Sequence, residues 1–201
     1  GDLVAAADHM RVNYAAPKIL IGHSLGGAAV LAAAPQIDEA EAVCTIGAPA
    51  DPGHSANNFA NDIKKIDAEG EADVTLVGRP FRIKKQFLDD IRSQKLLPSI
   101  SNLRKALLIF HSPVDQTVGI ENAQEIYLAA KHPKSFVSLD DADHLLSKRA
   151  DAIYCANVIA AWAERYITSG KDVGTGEDIP AISDGVVVQE TGKGTFTNAI
   201  S

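Results

Sequence analysis

Short apolar runs alternate with segments of helical periodicity along most of the chain. The apolar runs have the length and composition of buried strands, and they cover residues 18–23, 42–47, 106–110 and 135–139. Apolar residues at helical spacing, or a composition rich in alanine and leucine, predict helices near 2–16, 25–34, 120–130 and 149–167. Strands that alternate with helices predict an α/β fold, a mostly parallel sheet with helices on both faces.

Residues 54–103 interrupt this alternation. Phe59, Ile63 and Ile66 lie at the spacing of a charged amphipathic helix. The alternating apolar residues of 73–83 predict a hairpin, and 84–97 predicts another charged helix. We therefore expect an insertion of helices and a hairpin between the second and third strands of the sheet.

The charge balance narrows the classes of partner. The 201 residues include 19 Lys and Arg against 26 Asp and Glu, a formal charge of −7. Nucleic acids and anionic membranes attract basic patches, so the sequence predicts neither as a partner. No apolar run approaches the roughly 18 residues that span a bilayer. A hydrophobic content of 46% fits one globular domain with a substantial core and a small appendage.

Two cysteines, Cys44 and Cys155, are too few for a disulfide framework and lack the spacing of metal ligands. We interpret them as buried free thiols in a reducing compartment, which predicts a cytoplasmic protein. A single disulfide between them is the alternative.

The C-terminal part of the chain differs from the rest. We expect one domain over residues 1–168, a linker over 169–184 because Gly, Thr, Ser, Asp and Pro dominate there, and a second domain that starts at 185–201. The chain begins at Gly1 without an initiator methionine and ends in an alternating strand-like pattern. Both features predict a piece of a longer protein.

The most informative motif is Gly22-His23-Ser24-Leu25-Gly26, a G-x-S-x-G sequence between a predicted strand and a predicted helix. This context is typical of a nucleophile elbow, a sharp turn that exposes the serine oxygen while small residues two before and two after it let the backbone approach closely. The helix start directs N–H groups at an oxyanion formed there. The alternative is a glycine-rich turn with an incidental serine.

A serine nucleophile needs a base and an orienting acid. His144 follows the fourth strand and Asp115 follows the third, so both lie at carboxyl ends, in the chain order Ser, Asp, His. His144 is otherwise an exposed loop histidine, and Asp115 a turn or capping residue. Asp141 and Asp143 compete for the acid role by proximity, and we rank them below Asp115 because neighbours in sequence rarely face the same ring edge.

Three motifs resemble those of the α/β-hydrolase family. They are GHSLGG at 22–27, HSPVDQTV at 111–118 and DADH at 141–144. The resemblance spans most of 1–168. It implies Ser24 as nucleophile, His144 as base, Asp115 as acid and the Leu25 N–H as one oxyanion donor. It also implies that the insertion is a cap over the substrate pocket.

Further residues are assigned to substrate binding. His23 flanks the serine, and its side chain is expected to point away across the turn. His54 and Phe59, near the cap entrance, line the pocket or merely pack. The full set of substrate-binding candidates is His23, Pro49, His54, Phe59 and Val118.

Residues 185–197 look like the opening strands of an OsmC-type domain, a domain that occurs fused behind bacterial α/β hydrolases. The cysteine pair through which such domains handle peroxides is absent from this tail, so no peroxidase activity carries over. A complete α/β hydrolase also has several strands before the elbow strand, and one loop there supplies a second oxyanion N–H. We therefore expect N-terminal strands to be missing from this chain, and self-association through the exposed sheet edge.

The sequence predicts a serine esterase that cleaves a small acyl ester or thioester through an acyl-enzyme on Ser24, with no metal or cofactor. Acyl transfer and perhydrolysis use the same triad. The alternative from another class is a non-catalytic α/β-hydrolase-like scaffold or interaction module attached to an OsmC-like domain.

Overall fold

Four parallel strands form the main sheet. In a computed structural model that describes residues 1–55, 60–76, 79–93 and 95–167, they are β1 (Ile19–His23), β2 (Ala42–Ile46), β5 (Ala106–His111) and β6 (Lys134–Ser138), in the order β1-β2-β5-β6. β5 is buried at all six positions, as expected for an apolar run in the middle of a parallel sheet. The predicted α/β fold is confirmed. The predicted linker and OsmC-like segment, 169–184 and 185–201, lie outside the described residues.

Helices cover both faces of this sheet. Successive strand residues point to opposite faces, and one face packs against α2 (Leu25–Ala33), α6 (Leu96–Ser101) and α7 (Glu121–Ala129). The opposite face carries Cys44, Leu108 and Phe110, which pack against α8 (Arg149–Ala163). An additional helix, α1 (Asp2–Asn13), contacts α2. The strand residues therefore divide between two hydrophobic clusters, one on each side.

The segment between β2 and β5 forms helices and a hairpin, as predicted. It contains α3 (Pro52–Ser55), α4 (Ala60–Glu69), the antiparallel pair β3 (Glu71–Leu76) and β4 (Arg79–Lys84), and α5 (Lys85–Ser93). These elements enclose a small hydrophobic cluster of their own, made of Ile66, Ala72, Val74, Ile83, Leu88 and Ile91.

The helix predicted over 84–97 is two helices in the structure. α5 ends at Ser93, and α6 begins at Leu96 and sends Leu96 and Ile100 into the main core. Pro98 explains the restart, because proline is tolerated in the first turn of a helix but not in its interior. The separate core of the insertion therefore ends before residue 96.

The two ends of the described sheet differ from its centre. Ile21 on β1 is 50% exposed and Phe136 on β6 is 44% exposed. Self-association through such an edge stays a prediction.

Within the described residues, no helix is both long and apolar enough to span a membrane.

Both cysteines are buried free thiols, Cys44 on β2 and Cys155 on α8. Burial, and to a lesser extent the neighbouring Cys155, raises the pKa of Cys44 to about 12. Burial and then the nearby Asp151 raise the pKa of Cys155. Since the thiolate is the reactive form, both groups should be inert at neutral pH in the folded protein.

A thiol titration checks this. With Ellman's reagent at pH 8, the native chain should react slowly. At a pKa of about 12, only about one Cys44 thiol in 10⁴ is ionised at that pH. In denaturant both thiols should react within minutes. A chain that yields no thiol even when unfolded would instead contain the disulfide.

Candidate active site

Ser24 lies on a strained turn between β1 and α2. Its backbone has φ 54° and ψ −129°, a left-handed conformation that side chains other than glycine rarely adopt. The N–H of Ser24 donates to the carbonyl of Ile46 at 2.9 Å, and its own carbonyl accepts from Gly27 at 2.8 Å. The turn is therefore fixed by the neighbouring strand on one side and by the helix start on the other.

Two glycines allow the chain to fold this tightly. A Cβ on Gly22 would lie 2.2 Å from the carbonyl oxygen of Gly26, and one on Gly27 would lie 2.5 Å from the Cβ of Ala48. Gly26 behaves differently, because a Cβ there meets no atom within 4 Å. The prediction that the position two residues after the serine must be small to allow a close approach is therefore wrong. The close approach occurs one residue later, where α2 packs against the end of β2.

His144 and Asp115 meet Ser24 at the carboxyl edge of the sheet. The Oγ of Ser24 is 3.0 Å from Nε2 of His144, and Nδ1 of His144 is 2.7 Å from Oδ2 of Asp115. Nδ1–H donates to the carboxylate, which leaves Nε2 to accept the serine proton. His144 and Asp115 are both buried. The structure thus joins three residues in one hydrogen-bonded line.

The loop after β5 holds the carboxylate in place. The Oδ1 of Asp115 accepts the N–H groups of Thr117 and Val118 at 2.8 and 2.9 Å. Burial by itself raises the pKa of Asp115, but hydrogen bonds from His144 and from these two N–H groups outweigh it. The pKa of this carboxyl therefore lies below its usual range, and Asp115 is ionised at neutral pH.

The two competing carboxylates are engaged elsewhere. Asp141 is exposed and accepts a hydrogen bond from Lys148 Nζ at 2.6 Å, while Asp143 accepts the N–H of Ser147 at 2.8 Å. The Lys148 contact lowers the pKa of Asp141, and the Ser147 hydrogen bonds lower that of Asp143.

The other assigned residues are distributed around this line. His23 ends β1 and lies 2.7 Å, through Nε2, from the main-chain oxygen of His144, so its side chain does not point away from the site. Pro49 and Val118 are buried in the loops after β2 and β5. Leu25 begins α2, and the first N–H groups of a helix lack intrahelical acceptors. His54 belongs to α3, and Phe59 lies outside the described residues.

Two neighbours of Asp115 were not assigned from the sequence. His111 is buried and donates from Nε2 to the carbonyl of Val118 at 2.7 Å, which closes the loop that carries Asp115. Gly47 follows β2 with φ +56°, and a Cβ there would lie 3.4 Å from both Oδ2 of Asp115 and Nδ1 of His144. A glycine directly after a buried strand was the one signal that pointed to this position.

Gly47→Ala should lower the free energy of unfolding by about 1–2 kcal/mol, the cost of a left-handed conformation for a residue with a Cβ. The added methyl group just reaches contact distance, so strain rather than overlap dominates. Chemical denaturation measures the change.

Gly26→Ala is the matched control. It lies in a helix with open space around it, so it should be neutral or stabilise by up to about 1 kcal/mol. Equal destabilisation by the two substitutions would show that the backbone of Gly47 is not the cause.

Comparison with known proteins places this geometry in a family. No protein-family model and no curated protein matches the chain. Among solved structures, the esterase domain of a Rhodothermus marinus protein is 51% identical, with a TM-score of 0.71, and the match covers 83% of this chain and 69% of that domain. The chain belongs to the α/β-hydrolase family. The family predicted from three short motifs is therefore confirmed.

More distant solved structures show the same fold. Alpha/beta hydrolase domain-containing protein 10 from mouse is 23% identical, with a TM-score of 0.62, over 81% of this chain and 68% of that one. Est1E from Butyrivibrio proteoclasticus, solved with ferulic acid, is 19% identical, with a TM-score of 0.64, over 81% of this chain and 66% of that one.

Proposed function

We propose that this α/β-hydrolase is a serine esterase that cleaves a small acyl ester or thioester through an acyl-enzyme on Ser24. The observation that carries the proposal is the line from Ser24 through His144 to Asp115, with hydrogen bonds of 3.0 and 2.7 Å at a strained turn. The identity of 51% with a domain described as an esterase supports the same reaction class.

The first half-reaction makes the acyl-enzyme. The Oγ of Ser24 attacks the carbonyl carbon while Nε2 of His144 takes the serine proton, and the carbonyl oxygen becomes an oxyanion that the Leu25 N–H stabilises. Asp115 stabilises the imidazolium that forms on His144. The tetrahedral intermediate then expels the alcohol or thiol, which takes the proton from His144, and the acyl group stays on Ser24.

The second half-reaction releases the acid. Water gives a proton to Nε2 of His144 as its oxygen attacks the acyl carbon, and the new tetrahedral intermediate expels the Ser24 oxygen, which recovers its proton from His144. Acyl transfer and perhydrolysis differ in the acceptor that attacks in this step, an alcohol or a peroxide in place of water. No step needs a metal or a cofactor.

The insertion is proposed to cap the pocket. It leaves the sheet at the end of β2, the same edge at which a Cβ on Gly47 would lie 3.4 Å from Asp115 and His144. The N–H of Ala50, at its base, donates to Oδ1 of Asn122 at 3.0 Å, which ties the base of the insertion to α7. Its small separate core makes it a compact cover, near which Pro49 and His54 would meet substrate.

A fluorophosphonate probe separates the esterase from a non-catalytic scaffold. The esterase should gain one covalent label on Ser24, located by peptide mass spectrometry, because the assembled triad activates that hydroxyl alone. An unlabelled chain, in a mixture where a known serine hydrolase is labelled, would favour the scaffold.

A further inference from the structure

His23 connects the two halves of the candidate site through the main chain. It directly precedes Ser24, and its Nε2–H donates to the carbonyl oxygen of His144 at 2.7 Å. The two imidazole rings lie with centroids 5.0 Å apart and planes tilted by 43°. The sequence predicts that this side chain points away from the serine. In the structure it instead contacts the histidine loop, residues 139–148 between β6 and α8.

Apart from the side-chain contact between His144 and Ser24, the other hydrogen bonds of the histidine loop do not reach the Ser24 turn. Leu139 N–H donates to the His111 carbonyl, and the bonds of Ala142 and Leu146 stay within the loop itself. Among the hydrogen bonds of the described residues, the one from His23 alone ties the main chain of this loop to the turn. Without it, the contact between Ser24 and His144 would depend on the catalytic side chains themselves.

We propose that His23 is a positioning residue for His144, an inference that rests on the esterase activity proposed above. Asp115 fixes one edge of the imidazole, and His23 fixes the backbone from which that imidazole extends. Together they hold Nε2 at 3.0 Å from the Ser24 oxygen. The His23 donor is available on the neutral Nε2–H tautomer and on the protonated ring, so the contact itself does not require a change of charge.

The rate of proton transfer from Ser24 depends on the distance between its Oγ and Nε2 of His144. A displacement of about 1 Å in a reacting group costs on the order of 10²-fold in rate. If the histidine loop loses its tie to the turn, His144 samples positions in which it cannot take the serine proton. The loss should fall on kcat, since substrate binding does not use this bond. A role of His23 in substrate contact would instead change KM.

The test compares His23→Phe with His23→Gln. Phenylalanine keeps a ring of similar size but has no donor, whereas the glutamine amide places an N–H near the position of Nε2. Using p-nitrophenyl acetate, we expect His23→Phe to lower kcat by about 10- to 100-fold with KM near the wild-type value. His23→Gln should recover most of that loss. His9→Phe, an exposed histidine on α1, is the control for the substitution itself.

An activity-independent readout keeps the two proposals separate. The Nδ1–H proton of His144, bound to Asp115, should give a downfield NMR resonance that exchanges faster with water in His23→Phe than in wild type or His23→Gln. Unchanged exchange together with unchanged kcat in His23→Phe would overturn the positioning role, as would a change confined to KM. A wild-type chain inert toward both ester and fluorophosphonate would overturn the esterase, and the exchange rates would still decide the role of His23.

Discussion

Ser24→Ala is expected to abolish ester turnover, with a loss of roughly 10⁶-fold in kcat, the size seen when a triad loses its nucleophile. Without the hydroxyl, no acyl-enzyme forms, and His144 has no serine proton to take. Alanine keeps a Cβ at φ 54°, so the backbone strain of the turn is the same before and after the substitution. The fold should therefore stay intact, with circular dichroism and denaturant midpoints close to wild type.

Substitution of a second serine is the matched control for the loss of the Ser24 hydroxyl. Ser93→Ala removes an exposed hydroxyl at the end of α5, which donates to the main-chain oxygen of Asp90 rather than to any residue of the proposed triad. That variant should turn over an activated ester at the wild-type rate. Unchanged turnover in Ser24→Ala would reject the acyl-enzyme mechanism outright, since no other nucleophile is assigned to the site.

Asp115→Asn is expected to lower kcat by about 10⁴-fold, the loss that follows when the triad acid becomes an amide. The amide carries no charge to stabilise the imidazolium, and its NH₂ group can turn toward Nδ1 and favour the wrong tautomer of His144. Thr117 and Val118 still find an oxygen acceptor, so the loop should keep its shape. Steady-state kinetics with an activated ester measures the loss.

The contacts of the neighbouring carboxylates indicate whether one of them can replace Asp115 beside His144. Asp141 and Asp143 are exposed and bound to Lys148 and to Ser147, so neither should rescue the variant. Asp141→Asn is the matched control, because it removes a carboxylate that lies in the loop of His144 but outside the proposed triad. A loss much smaller than expected in Asp115→Asn, deepened further when Asp141→Asn or Asp143→Asn is added, would show that one of them substitutes. His144→Ala should resemble Ser24→Ala, since it removes the proposed base.

Local patterns predicted the elements of the fold well. The strands were found because a short apolar run is what a buried parallel strand requires, and β2 and β5 match theirs within one residue. The helix over 84–97 was predicted as one piece because its charge pattern is continuous. Its division depends on Pro98 and on Leu96 and Ile100 entering a core formed by distant segments.

The sequence by itself determined the family, the strand–turn–helix around Ser24, and the order in which serine, aspartate and histidine follow one another. Each motif that carries them is local, since it depends on residues within a few positions, and the order of the three motifs is read directly along the chain. Only the tertiary structure decided which carboxylate meets His144, where the crowded glycine lies, and that His23 reaches the main chain of His144. Those contacts join residues up to 121 positions apart. They follow from the register of the parallel strands, which brings the ends of β1, β2, β5 and β6 to one edge, and no short window of sequence contains that register.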